Sequence, residues 1–167
     1  MAYTTIDDPE AYFQVRAYAG NGTDDTGITL DGDTALSPNF VIIKDRTEGN
    51  WFDVFDTVRG ATKRVYTNTT NAEETQAASL QSFDADGFTL GTNVDVNKDG
   101  NNYVAWCWKA NGSGSSNTDG DITTTVSANT TSGISICKYS GNGTNDQELG
   151  HGMNKIPDIW FIKRTDS

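Results

Sequence analysis

The chain has 167 residues and carries 23 acidic against 12 basic side chains, a formal charge of −11. That balance excludes a nucleic-acid binder or an anionic-membrane binder driven by counterion release, since both need a basic patch. Seventeen glycines and only 35% apolar residues argue against long helices, and the clustering of the apolar residues into short runs argues for an all-β domain rather than disorder. No run approaches the ~20 apolar residues of a bilayer-spanning helix. The start, Met1–Glu10, lacks the basic and apolar regions of an export signal, so the chain is expected to fold in the cytoplasm in which it is made. At this length roughly 70% of the unfolded surface can be buried, which allows a core without disulfides or metals.

In chain order, Pro38 opens the β-branched run Phe40–Lys44, the signature of a central strand covered on both faces. A Glu48-Gly-Asn50 turn leads into Trp51–Asp56, in which Trp51, Asp53 and Phe55 alternate with Phe52, Val54 and Asp56, so both faces carry apolar groups. Lys63–Tyr66 reads as a short strand. Asn71–Leu80 is the one helical candidate, with Asn71 as N-cap and Glu74 at the capping-box position. Phe88–Leu90 follows the turn Asp84-Ala-Asp-Gly87. Tyr103–Lys109 is the clearest strand, setting Val104, Trp106 and Trp108 against Tyr103, Ala105 and Cys107; the two indoles are expected to face the core. Asn111–Asp119 has the Gly, Ser and Asn composition of a linker. Ile122–Val126 and Ile134–Tyr139 then flank a hairpin turn. The whole predicts an antiparallel β-sandwich, jelly-roll or concanavalin-like, with one short surface helix.

An internal repeat organises these elements. Tyr18-Ala-Gly-Asn-Gly-Thr23 returns as Tyr139-Ser-Gly-Asn-Gly-Thr144, and Pro38-Asn-Phe-Val-Ile-Ile-Lys44 returns as Pro157-Asp-Ile-Trp-Phe-Ile-Lys163. Gly22 and Gly143 lie 121 positions apart and Pro38 and Pro157 lie 119 apart, a period of about 120 residues. Residues 1–110 are thus expected to form a complete sandwich repeat, 111–119 a linker, and 120–167 the start of a second, truncated repeat. Nothing equivalent to Trp51–Lys109 follows Lys163, and half a sandwich cannot bury its own apolar face. The expectation is a fragment, or a chain completed by a neighbour.

Few constellations carry chemistry. Cys107 and Cys137 sit in strand-like runs and are expected to be buried, reduced thiols; with one histidine and no CxxC, a zinc site has no ligands. Five Asn-x-Ser/Thr sequons, at Asn21, Asn68, Asn111, Asn129 and Asn142, follow from composition and need export to matter. Asp95-Val-Asn-Lys-Asp-Gly100 matches the first half of a calcium loop, making Asp95, Asn97 and Asp99 the candidate metal ligands, although the twelfth position is Trp106. The competing reading is an Asx-rich turn, and no cofactor is otherwise expected. His151 has no partner that would make it a general base. Asp53 with Asp56, or Glu73 with Glu74, are the formal carboxylate pairs for a polysaccharide-cleaving enzyme, but the first pair falls on opposite strand faces. For a binding module, the contacts belong on loops at one end of the sandwich, with Asn21, Asp24, Asn50, Trp51 and Asn101 as candidates and Trp51 as the exposed aromatic.

Several segments together, Asp8–Phe13, Tyr18–Gly22, Phe40–Lys44, Val58–Lys63, Ser82–Gly91, Tyr103–Ala110 and Gly150-His-Gly152, resemble a repeat family of virion structural proteins of marine bacteriophages. The resemblance spans nearly the whole chain. Two departures stand out: the second repeat is short, and the first has Leu30-Asp-Gly-Asp-Thr34 where Gly-His-Gly would fall. What the resemblance implies is a location, a tail, fibre or capsid-decorating protein of the virion folded in the bacterial cytoplasm. Other virion proteins are the implied partners, together with copies of itself and host-surface polysaccharide. No nucleic acid, membrane insertion or catalytic residue is implied.

Overall fold

The computed structural model describes residues 6–166; Met1–Thr5, part of the segment read for an export signal, and Ser167 lie outside the described residues. The larger sheet has six antiparallel strands in the order β1 (Phe13–Ala19), β9 (Asn102–Trp108), β3 (Phe40–Asp45), β4 (Phe52–Asp56), β5 (Lys63–Tyr66) and β6 (Glu74–Thr75). A second sheet runs β2 (Thr26–Thr29), β8 (Gly87–Leu90), β7 (Leu80–Asp84), and a third runs β10 (Ser115–Asn117), β11 (Thr124–Asn129), β12 (Ile134–Lys138). The chain is all-β with antiparallel pairing, and among the described residues the one α-helical turn is α1 (Val94–Asn97). Among the described residues no helix is long and apolar enough to cross a membrane.

The first two sheets share one core, in a sandwich-like arrangement. Val41 and Ile43 of β3, Phe55 of β4, and Tyr103, Ala105 and Cys107 of β9 form a single buried cluster with Ile28, Leu80, Phe88 and Leu90 of the smaller sheet. Leu30, Leu36 and Val96 join it from connecting segments. Period 2 explains the selection, since alternate residues of a strand share a face. Tyr18 stacks on Tyr103 with ring centroids 5.2 Å apart and meets Phe88 edge-on at 6.3 Å.

The two indoles of β9 do not fill this core. Trp106 and Trp108 are half-buried on the opposite face of the sheet, where Trp108 lies between Phe13 (4.9 Å) and Phe40 (5.5 Å) and Trp106 faces Phe52 (6.4 Å). The small Ala105 and Cys107 leave room on the inside for the rings of Phe55 and Phe88. The expected helix over 71–80 is likewise absent: Glu74 and Thr75 pair with Arg64 and Lys63 as β6. Tertiary pairing overrides the local capping signal there. The segment expected as a linker holds β10, whose Ser115–Asn117 pairs with Thr124–Val126 of β11.

The two Gly-Asn-Gly segments take the same turn. Asn21 and Asn142 each accept a hydrogen bond from the backbone N–H two residues on, at 2.9 Å in both copies. Gly22 and Gly143 adopt φ of 67° and 74°, a region open to glycine without strain, and Asp25 and Asp146 follow with 57° and 58°. β12 precedes the second turn in sequence as β1 precedes the first, but it pairs with β11 in a separate sheet. Beyond it the copies part: Phe40–Asp45 is the strand between β9 and β4, whereas residues 157–163 form no strand and lie on the surface.

The two faces of the larger sheet differ in how much each ring contributes. Phe88→Ala is expected to cost about 3–5 kcal/mol in urea unfolding, and Trp106→Ala clearly less because its ring is already partly in water. Equal costs, or the reverse order, would show that the core lies on the indole face.

Candidate binding site

Three loops meet at one end of the larger sheet. Ala19 pairs with Asn102 and Asp45 with Tyr103, so the turns 20–25, 46–51 and 93–101 emerge side by side. They are tied together by Gly20 N–H to Asn101 O (2.9 Å), Gly22 N–H to Asn97 O (2.9 Å) and Arg46 N–H to Asn102 O (2.7 Å). The three loops that carry Asn21, Asp24, Asn50, Trp51 and Asn101 therefore lie together.

The predicted contact residues inside these loops are largely occupied in building them. Asp45 is buried, and its Oδ1 accepts from Thr47 N (2.7 Å) and Glu48 N (3.0 Å) while Oδ2 accepts from Asn50 Nδ2 (2.9 Å) and Asn101 Nδ2 (2.8 Å). Burial alone would raise its pKa, but those four donors hold the carboxyl below the ordinary value. Asn50 and Asn101 thus converge on Asp45 rather than on solvent. Asn21 Oδ1 accepts from Thr23 and Thr26, and Asp24 accepts from Gln81 Nε2 at 2.9 Å.

Trp51 is different. Its ring is 43% exposed and sits edge-on over Tyr66, 4.8 Å between centroids at 70°. Beneath this pair lies a polar group that the inward faces of β4 and β5 bring together, because Asp53 pairs with Tyr66 in register. Arg64 Nη1 donates to Asp53 Oδ1 (3.2 Å) and Asp95 Oδ2 (2.8 Å), and Nη2 donates to Glu74 Oε2 (3.0 Å). The Tyr66 hydroxyl donates to the same Glu74 oxygen (3.1 Å), and the guanidinium lies 5.1 Å from the Tyr66 ring centre. Three carboxylates therefore share one guanidinium. The deepest, Asp53, is fully enclosed and its Oδ2 has no hydrogen-bond partner. Burial raises its pKa to about 7, against the pull of Arg64 and with help from Asp95 and Glu74. What reaches the surface is an aromatic plate beside Glu74, whose side chain is 45% exposed, and Asp95, at 27%. Chemically, the rim offers an aromatic face for an apolar surface and carboxylate oxygens as hydrogen-bond acceptors. Arg64 and Tyr66 escaped sequence reasoning; a lone Asp53 in an apolar strand, with an Arg on the next, was the available signal.

The other candidates fall elsewhere. Asp53 and Asp56 lie on opposite faces, as their spacing requires, and Asp56 pairs with Arg59. Glu73 pairs with Arg59 and Lys63 while Glu74 turns to Arg64. Asp95 points at Arg64, whereas Asn97 is enclosed and engages Asn21 N, Thr23 O and Gly91 O. Asp95, Asn97 and Asp99 therefore do not converge, and among the described residues no group of three His, Cys, Asp or Glu side chains is arranged to hold a metal. His151 Nδ1 accepts from Met153 N at 3.3 Å, closing its own loop. Both cysteines are free; Cys107 is buried, which pushes its thiol up to about 12, but Cys137 is only half-buried.

Asp53 gives the site a pH signature. Between the unfolded value of 3.8 and about 7 the folded chain holds a proton that the unfolded chain has lost, so this group makes stability fall as pH rises through that window. Asp45 acts the other way: its folded value is depressed, so its contribution is present above the ordinary carboxylate range and lost as pH falls through it. Urea midpoints measured from pH 3 to 8 are expected to show the downward slope between about 4 and 7 flattened in Asp53→Asn. An unchanged difference curve would place the proton elsewhere.

Neither the curated proteins nor the solved structures gave a match to this chain. A family model described as Domain of unknown function (DUF7483) matches residues 8–167, a span that takes in the shared core, the Trp51 end and the β10–β12 sheet. With nearly its whole length covered, the chain belongs to the DUF7483 family.

Proposed function

We propose that this domain is a non-catalytic attachment and assembly module of a bacteriophage virion surface protein, holding host-surface glycan at the Trp51 end. The observation that carries the binding role is the exposed Trp51 ring braced on Tyr66 above the Arg64 carboxylate group. A rigid aromatic platform with hydroxyl acceptors beside it suits a pyranose, since stacking buries the apolar ring face and the carboxylates take the hydroxyl protons. The virion setting rests on the resemblance of the Tyr18–Gly22, Phe40–Lys44 and Tyr103–Ala110 segments to virion repeats. Folding in a bacterial cytoplasm fits the free thiols, and the acidic surface supports solubility in saline water. We further take the sandwich to be jelly-roll or concanavalin-like, in which the first and last strands of the unit, β1 and β9, lie side by side. Assembly into oligomers with other virion proteins would use the apolar outer face of the larger sheet, where Phe13 and Val15 are 39% and 46% exposed.

A polysaccharide-cleaving enzyme is the second reading, favoured by one observation, a carboxyl raised to about 7 beside two further carboxyl side chains. Asp53 is fully buried, so a substrate oxygen has no path to it without rearrangement. Binding of the purified domain to an array of bacterial surface glycans, followed by titration of the best ligand, is the test. Trp51→Ala should weaken that ligand roughly three- to tenfold, the worth of one stacked aromatic, with the circular dichroism spectrum unchanged. Reducing ends should not accumulate. Glycan binding indifferent to Trp51→Ala refutes the site, and reducing-end release abolished by Asp53→Asn would establish the enzyme instead.

A further inference from the structure

We infer, building on the glycan reading of the Trp51 end, that the sugar held there carries a positive charge: a free ammonium group, as on an amino sugar without an acetyl cap. Two features of different origin ask for that sign. An indole presents the negative face of its π system, which attracts a cation within about 6 Å of the ring, and Trp51 is the exposed ring of its pair with the buried Tyr66. Beside that pair, the protein's own donors crowd onto one oxygen of each carboxylate. Glu74 Oε2 accepts from Arg64 Nε (3.2 Å), Arg64 Nη2 (3.0 Å) and the Tyr66 hydroxyl (3.1 Å), and Asp95 Oδ2 accepts from Arg64 Nη1 (2.8 Å). Among the described residues no donor meets Glu74 Oε1 or Asp95 Oδ1, although both side chains reach the surface. Two acceptor oxygens beside an exposed indole suit an ammonium group, which has three donors and a full charge.

The buried side of the group is short of positive charge. Three carboxyls share one guanidinium, and the enclosed Asp53 keeps Oδ2 without any partner. Burial, helped by Asp95 and Glu74, outweighs Arg64 and holds that carboxyl at about 7. A cation arriving at the rim relieves the shortage, whereas an anion deepens it. Nor can Arg64 serve an acidic sugar: its side chain is 7% exposed, and its donors are spent on Asp53, Glu74 and Asp95. The neighbouring cations are also engaged, Lys63 with Thr75 and Glu73, Arg59 with Asp56 and Glu73, and Lys163 with Thr69 O. A neutral sugar can donate hydroxyls to the two open oxygens but supplies no charge. The ammonium sugar satisfies the indole, the open oxygens and the deficit together.

The test titrates the 167-residue chain by calorimetry at about pH 6, where an amine is protonated, and about 0.15 M salt. The probes are a trisaccharide ending in glucosamine with a free amine, the same trisaccharide N-acetylated, and one ending in glucuronic acid. The amine form is expected to bind about three- to tenfold tighter than the acetylated form, the worth of one exposed ion pair with a cation–π contact, and the glucuronate form weakest. Glu74→Gln and Asp95→Asn should each remove most of that preference, with circular dichroism confirming the fold of both. Glu148→Gln, which removes the same charge from an exposed side chain outside the group, should leave it intact; loss of the preference there overturns the inference, because net charge would then decide. Equal or tighter binding of the acetylated or glucuronate form, still weakened by Trp51→Ala, overturns the charge assignment and leaves the sugar site standing. No binding of any form, or binding indifferent to Trp51→Ala, overturns both. A Gly-Lys-Gly peptide bound as tightly as the amine sugar also overturns the inference, since charge without a sugar would suffice.

Discussion

β9 is the strand that the larger sheet cannot do without. It lies between β1 and β3, completing the backbone ladders of both, and it places Tyr103, Ala105 and Cys107 in the shared core. β3 enters that core only because its N–H and C=O groups are paired on both edges; a buried strand with an open edge would leave polar groups without partners. The cost is entropic and kinetic, since β1 and β9 are brought together across more than eighty residues. Local partners suffice elsewhere: the Asn142 turn and the β11–β12 hairpin form from neighbouring residues, while residues 157–163 form no strand.

Burial of charge at the loop end follows one rule with two outcomes. Asp45 and Asp53 are both enclosed carboxyls at one end of the sheet, yet they shift in opposite directions. Asp45 has four donors to itself, two backbone and two side-chain, and the loop 46–50 is wrapped around it. Asp53 shares one guanidinium with Asp95 and Glu74, both of which reach water. Where donors are scarce, the proton settles on the most deeply buried acid. The same scarcity fixes the Arg64 fork in one geometry and so braces Tyr66 and Trp51 above it.

How much of this was legible beforehand depended on whether the deciding partner was local. Phe40–Lys44, Trp51–Asp56 and Tyr103–Lys109 announce themselves as strands by composition and alternation, and the Gly-Asn-Gly loops by residues that allow positive φ. Which face of β9 turns inward was not legible, because both faces are apolar and only the opposing sheet, with Phe88 and Leu90, selects the small side chains. Asn71–Leu80 carried a sound helix-start signal, but Glu74 is taken by Arg64 and Tyr66, partners that no local rule sees. Asn50 and Asn101 were recognised as belonging to one end of the domain; that they serve Asp45 depends on contacts across 56 positions. Trp51 could be singled out because a turn beside it argued for exposure, whereas the Arg64 group under it depends on the register of β4 with β5.

An exposed apolar strand is a hazard that soluble chains guard against, and the surroundings of 157–163 carry such guards. Pro157 cannot donate to a ladder, Asp158 puts a charge at the first free position, and Lys163 with Arg164 closes the far end, so indiscriminate edge pairing is discouraged. The far end is also anchored: Lys163 Nζ donates to Thr69 O at 2.9 Å and Glu73 N–H to Thr165 O at 2.8 Å. Those two bonds hold the segment against the β5 to β6 connection rather than against β12.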